Sequence, residues 1–188
     1  MKKIQLNNVL FLVLSTLITF TFQACDDDPV NDPPQMNEEE LITTVAMTFT
    51  NADDAEDVRT FRFSDPDGEG GNAPETTDTI ELNASSTYDL AIRFLDESDP
   101  NSVEDITEEV EEEADEHLVC YTTPGDLTVT ITDKDANELN LGLAATVTTL
   151  EAENTSLLVQ LKHQPDVKDG SCEPGDTDVE VLFQTVVK

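Results

Sequence analysis

Leu127-Thr128-Val129-Thr130-Ile131-Thr132 alternates apolar and polar side chains without a break, the two-residue period of a strand with one face in a core and the other in water. Working outward from it, the same habit recurs along the chain. Val45, Met47 and Phe49 alternate with Ala46 and Thr48; Phe61 and Phe63, then Ile80 and Leu82, follow. Tyr88-Leu90-Ile92-Phe94, Leu143-Ala145-Val147, Leu157-Val159-Leu161 and Val179-Val181-Phe183 keep the period. Turn signals such as Asp67-Gly68 and Pro124-Gly125 separate these runs. Short strands at this spacing predict an all-β, immunoglobulin-like antiparallel sandwich, and no repeat period stands out.

Residues 102–117 break the pattern. Val103, Ile106, Val110 and Ala114 recur at helical spacing, and Ser102 followed by Asp105 resembles a capping-box start, so the stretch predicts one short amphipathic helix. Its polar face is nearly all carboxylate. Glu112, Glu113, Asp115 and Glu116 crowd the last turn, where the helix dipole disfavours negative charge by roughly 0.3–1 kcal/mol each. A cation should offset this, and His117 is the nearest candidate.

The first residues read as an export signal: Lys2 and Lys3, then a mainly apolar stretch over 9–22 that is too short and too rich in threonine to span a bilayer well. Phe22-Gln23-Ala24-Cys25 resembles a lipobox, a small residue before a cysteine that receives lipid. Residues 1–24 are therefore expected to be a cleaved lipoprotein signal peptide and Cys25 the lipidation site, with a plain signal peptide cut after Ala24 as the alternative. The acidic run Asp26-Asp27-Asp28 resembles the Bacteroidetes signal that routes lipoproteins to the outer face of the outer membrane; a solvated spacer is the other reading. Residues 25–40 form an acidic, proline-bearing tether whose last 15 residues reach at most ~50 Å. Residues 41–188 are left as one domain.

Loss of residues 1–24 leaves 164 residues with seven Lys and Arg against 42 Asp and Glu, a formal charge of −35. Such a field repels nucleic acid and anionic lipid and favours cations or basic partners. With Cys25 committed to lipid, Cys120 and Cys172 make a natural disulfide pair in an oxidising envelope; a metal site or two free thiols are the alternatives.

The chain has two histidines, His117 and His163, both in phase with apolar faces. His117 continues the helical stripe one turn after Glu113, and His163 follows Leu157, Val159 and Leu161 on one side of a strand. His117-x-x-Cys120, His163, Cys172, Glu113 and Glu116 supply nitrogen, sulfur and oxygen donors of the kind Zn²⁺ or Cu²⁺ takes at about 2.0–2.3 Å. The spacing matches no strong metal signature, and histidines hydrogen-bonded to carboxylates at strand ends are the plainer reading.

Two loops resemble calcium-binding turns, Asp65, Asp67 and Glu69 among glycines in 64–71, and the Asp-x-Asp-x-Asn run of Asp133, Asp135 and Asn137. The second lacks the following glycine, having Glu138, and has Ala144 where the twelfth-position glutamate belongs. Exposed hairpin turns account for both without a cation. No Gly-x-Ser-x-Gly, phosphate-cradling glycine loop or His-Glu-x-x-His occurs, so no enzyme is expected. Absence of tryptophan removes the usual platform for stacking sugars. Asp78-Thr79-Ile80 resembles a Bacteroidetes O-glycosylation pattern, with a plain strand entry as the alternative.

Residues 38–43, the loop 65–74 and above all 103–117, Val-Glu-Asp-Ile-Thr-Glu-Glu-Val-Glu-Glu-Glu-Ala-Asp-Glu-His, resemble a family of small acidic flavobacterial lipoproteins. Its members often carry the label "type 1 periplasmic binding fold", which suits a much larger α/β protein; the strand alternation argues against that fold here. The resemblance implies a location and supplies no activity. The expectation is a noncatalytic, lipid-anchored binding protein of the outer membrane, at the cell surface or on the periplasmic face. It would capture a metal ion or metal complex (Zn²⁺, Cu²⁺ or Ca²⁺) for an outer-membrane transporter, with candidate ligands Glu113, His117, His163, Asp65, Asp67 and Glu69. The rival is a structural or adhesive surface module, motivated by the threonine-rich strands. Its partners would be the membrane, through lipid, and no nucleic acid.

Overall fold

The structure, a computed structural model, describes residues 41–68 and 70–188. The expected signal peptide (1–24), Cys25, the tether (25–40) and Glu69 lie outside the described residues. In chain order the elements are β1 (Thr44–Asn51), β2 (Asp54–Ser64), β3 (Thr76–Thr77), β4 (Ile80–Leu82), β5 (Thr87–Asp96), β6 (Glu104–Asp105), α1 (Ile106–Glu112), β7 (His117–Thr122), β8 (Thr128–Ile131), β9 (Ala144–Thr148), β10 (Glu153–His163) and β11 (Asp176–Val187).

The strands form two sheets. One runs β3-β2-β1-β5-β9-β8 with β6 added beside β5, and the other runs β4-β11-β10-β7. Neighbours pair antiparallel except β4, which lies parallel to β11. The period-2 residues do what the alternation predicts. Val45, Met47, Phe49, Tyr88, Ile92, Phe94 and Val147 of the first sheet face Ile80, Leu82, Val119, Leu157, Val159, Leu161 and Phe183 of the second, all buried in one apolar core. Each such side chain contributes roughly 1.5–3 kcal/mol on leaving water. Phe49 sits at the centre, edge-on to Phe61 at 5.8 Å and to Tyr88 at 6.3 Å. The described residues form an all-β sandwich with one short helix.

That helix is shorter than the 102–117 stripe predicts. Its N-cap is Asp105, whose carboxylate accepts from the Thr107 amide, and Ser102 lies outside it. The cause is tertiary. Residues 104–105 are drawn into the sheet, where Asp105 pairs with Leu95. The Thr107 hydroxyl accepts from the Phe94 amide at 2.9 Å and donates to its carbonyl at 3.2 Å. At the far end Glu113 leaves helical geometry, and His117 opens β7. Its burial follows from strand parity with Val119, not from the helical stripe. No alternation had marked β7, because His117-Leu118-Val119-Cys120 is a run buried on both sides, and such runs carry no period.

Cys120, on β7, is joined by a disulfide to Cys172, in the loop before β11, with the Cα atoms 6.1 Å apart and a sequence separation of 52. Closing a loop of that length removes chain entropy worth about 4 kcal/mol from the unfolded state. The Cys120→Ala/Cys172→Ala variant is therefore expected to lose about that much stability, or to fall short by whatever structure the unfolded chain retains, as read by urea denaturation of both proteins.

Candidate metal centre

β7 and β10 pair so that Val119 lies opposite Leu161 and His117 opposite His163. Since Val119 and Leu161 are core residues, the same parity turns both imidazoles to that side. The rings stack, with centroids 4.8 Å apart and planes 21° off parallel. His117 is fully buried. Its Nδ1 lies 3.1 Å from the Glu113 carbonyl, which can only accept, so Nδ1 carries the proton of that hydrogen bond. In the neutral ring the lone pair is then on Nε2, the arrangement by which a backbone carbonyl orients a metal-binding histidine.

Glu113 arrives from the end of α1. Its amide donates to the Glu109 carbonyl, while its own carbonyl accepts from the Glu116 amide as well as from His117. Its side chain turns toward the imidazoles: one ligand atom from each of Glu113, His117 and His163 falls within 4.8 Å of the others. Glu113 Oε2 is buried and has no hydrogen-bond partner among the described residues. Glu116 approaches from the solvent side, with Oε2 3.5 Å from His163 Nε2. Two imidazoles and a carboxylate form a ligand set used for catalytic zinc, with room for a further ligand. Tetrahedral bonds of 2.0–2.1 Å put ligand atoms roughly 3.3 Å apart, so loading asks for a contraction of the cluster.

The loop after β10 holds this cluster in place. Gln164, fully buried, donates its backbone amide to the Glu116 carbonyl at 2.6 Å and its side-chain amide to the carbonyls of Ser171 and Pro174. Gly175 lets the returning chain press onto His163: at φ +78° it adopts a conformation that disfavours other residues, and a Cβ there would stand 2.0 Å from the His163 carbonyl oxygen. Lys168 donates to the Ala114 carbonyl at 2.7 Å and to Asp135 Oδ2 at 2.8 Å, and the two side chains are 3% and 0% exposed. The cation that offsets the acidic end of α1 is thus Lys168, where the sequence pointed to His117. The signal was its rarity, one of nine Lys and Arg in a chain with 42 acids.

The second calcium-like run is a structural turn. Asp133 accepts from the Gly142 and Ala144 amides, and Asp135 Oδ1 from the Asn137 and Leu139 amides, while Lys168 takes Oδ2. An ammonium and four backbone N–H groups use the oxygens that a calcium ion would need. Asp135 is buried, which corrects the expectation of an exposed turn. Cys120 and Cys172, being disulfide-bonded, supply no sulfur ligand. Asp65 and Asp67 stand apart from the histidine cluster, on the turn after β2. Comparison with protein-family models, with curated proteins and with solved structures found no match for the chain.

Burial works to raise the Asp135 carboxyl, but hydrogen bonds from Lys168 and from the Leu139 and Asn137 amides outweigh it and hold the group below its ordinary 3.8. A depressed folded value means that the stabilisation is complete above the unfolded value and fades as pH falls through the folded one. Asp135→Asn, which strands a buried ammonium, should cost about 3–5 kcal/mol at neutral pH. The gap between variant and parent, read from urea denaturation at a series of pH values, should narrow below pH 3.8.

Proposed function

We propose that this chain is a noncatalytic, lipid-anchored binding protein of the cell envelope that captures a borderline transition-metal ion, Zn²⁺ or Cu²⁺, at Glu113, His117 and His163. The observation that carries the reading is the stacked imidazole pair with a Glu113 carboxylate oxygen within 4.8 Å of the ligand nitrogens. Imidazole with carboxylate suits these ions, and a formal charge of −33 over the whole chain raises the local cation concentration. Three protein ligands leave a coordination position for exchange, which suits a protein that passes its ion to an outer-membrane transporter. Lipid on Cys25 and the tether to residue 40 would keep the domain beside such a partner, at the cell surface or on the periplasmic face.

A second reading, a structural or adhesive module, is favoured by the outer face of the first sheet. Thr60, Thr48 and Ala91 lie in one cross-strand row, and Thr50, Asp89, Thr146 and Thr130 in the next. Arg62 and Arg93 flank Ala46 in the row before these, so the threonine-rich patch is bounded by basic side chains.

Calorimetric titration of the full chain with Zn²⁺ and with Cu²⁺ should give one saturable site, weakened about 100-fold or more by His117→Ala or by His163→Ala. Equal heats from the parent and both variants would rule the site out and leave the second reading. For the anchor, cells fed labelled palmitate should incorporate it into the parent chain and not into Cys25→Ser.

A further inference from the structure

We propose that the turn after β2 is a separate site for a hard divalent cation of the Ca²⁺ class, held by the carboxylates of Asp65 and Asp67. Among the described residues the buried acidic and basic residues are Asp65, Asp135 and Lys162, and the Lys168 side chain is 3% exposed. Asp135 has Lys168 against it; Asp65 has no lysine or arginine in any of the described ion pairs. It is 9% exposed, and its Oδ1 is buried with no hydrogen-bond partner among the described residues. A buried carboxylate oxygen with no donor is costly to keep ionised. The backbone cannot relax it away, because the Asp65 amide donates to the Thr43 carbonyl at 2.8 Å and its carbonyl accepts from Gly68 at 3.0 Å.

Asp67, exposed on the same turn, is also held in place. Its Oδ2 accepts from the Asn72 backbone amide at 2.8 Å and from the Asn72 side-chain amide at 2.7 Å. The group lies so close over Gly71 that a Cβ on that glycine would stand 2.2 Å from Oδ2. The glycine leaves the space that seats the carboxylate. Asp65 and Asp67 are within hydrogen-bonding reach of each other, and Asp65 is pushed above the usual carboxylate range by burial first, then by Asp67 and by the charge of Glu75. Two carboxyls in this position share a proton or bind a cation. All the donors are oxygens, which selects calcium-like ions over zinc or copper. With two protein carboxylates, the remaining coordination falls to turn carbonyls and water. Sites so sparsely furnished belong to the weak class of extracellular modules, with Kd on the order of 10⁻⁴–10⁻³ M. This site is independent of the histidine cluster, and its role is to tie down the turn that closes β2.

The test is a Ca²⁺ titration of the ¹⁵N-labelled full chain, kept in solution by a non-ionic detergent, followed by amide chemical shifts. Saturable shifts centred on residues 65–72 with Kd in that range, weakened at least about tenfold by Asp67→Asn and unchanged by the surface control Glu108→Gln/Glu112→Gln or by His117→Ala, would support the site. Linear, unsaturating shifts spread over the exposed carboxylates would overturn it, as would saturable binding that Asp67→Asn leaves intact. If Asp67→Asn does not fold, the map of shifts in the parent chain decides alone.

Discussion

The register of β7 against β10 is the constraint on which the rest of this molecule depends. Val119 opposite Leu161 puts both into the core, and two residues further the same parity stacks His117 on His163. A slip of one residue would send the apolar pair to solvent and separate the imidazoles onto opposite faces. The register is therefore held by hydrophobic burial first and by the Cys120–Cys172 bond second. The histidine half of the candidate metal centre is a by-product of the packing that folds the sandwich, and the end of α1 adds Glu113 to it.

Electrostatics is the second constraint. A chain with 42 acidic and nine basic residues has few cations to place, and it places them selectively. Lys168 is buried between the Ala114 carbonyl and Asp135, so one ammonium closes α1, fills the Asp133–Asn137 turn and fastens the loop behind the histidines. Arg59 is held by Asp57 through two nitrogens and lies over the Tyr88 ring. Where no basic side chain was available, as at Asp65, a buried carboxylate is left to share a proton with its neighbour or to take an ion from solution.

Strands with one wet face announced themselves in the sequence. Thr48, Thr128, Thr130 and Thr146 face water for the same reason that Met47, Val129 and Val147 face the core: a pleat alternates. β7 carried no such signal, since its first four residues are buried on both sides, and the helical stripe over 102–117 was extended across it. The stripe ended early because Asp105 pairs with Leu95 and Thr107 bonds Phe94, contacts to a strand about a dozen residues earlier. Glu113, His117 and His163 could be named as candidates because histidine is scarce here and both copies were in phase with apolar residues. Lys168 had only its rarity to mark it, and Gln164 and Gly175 had nothing, because each acts through partners far off in sequence or through backbone geometry.

By itself, then, the sequence determined the fold class, since burial on one face of a pleated strand imposes a period that survives in the order of residues. It also determined the strongly acidic character, because charge depends on composition alone. Only the tertiary structure decided that His117 belongs to a strand, that Lys168 is the internal cation, and that Glu113, His117 and His163 meet while Asp65 and Asp67 make a place of their own. Those facts depend on which segments lie side by side across gaps of tens of residues, and that is set by the packing of the whole core.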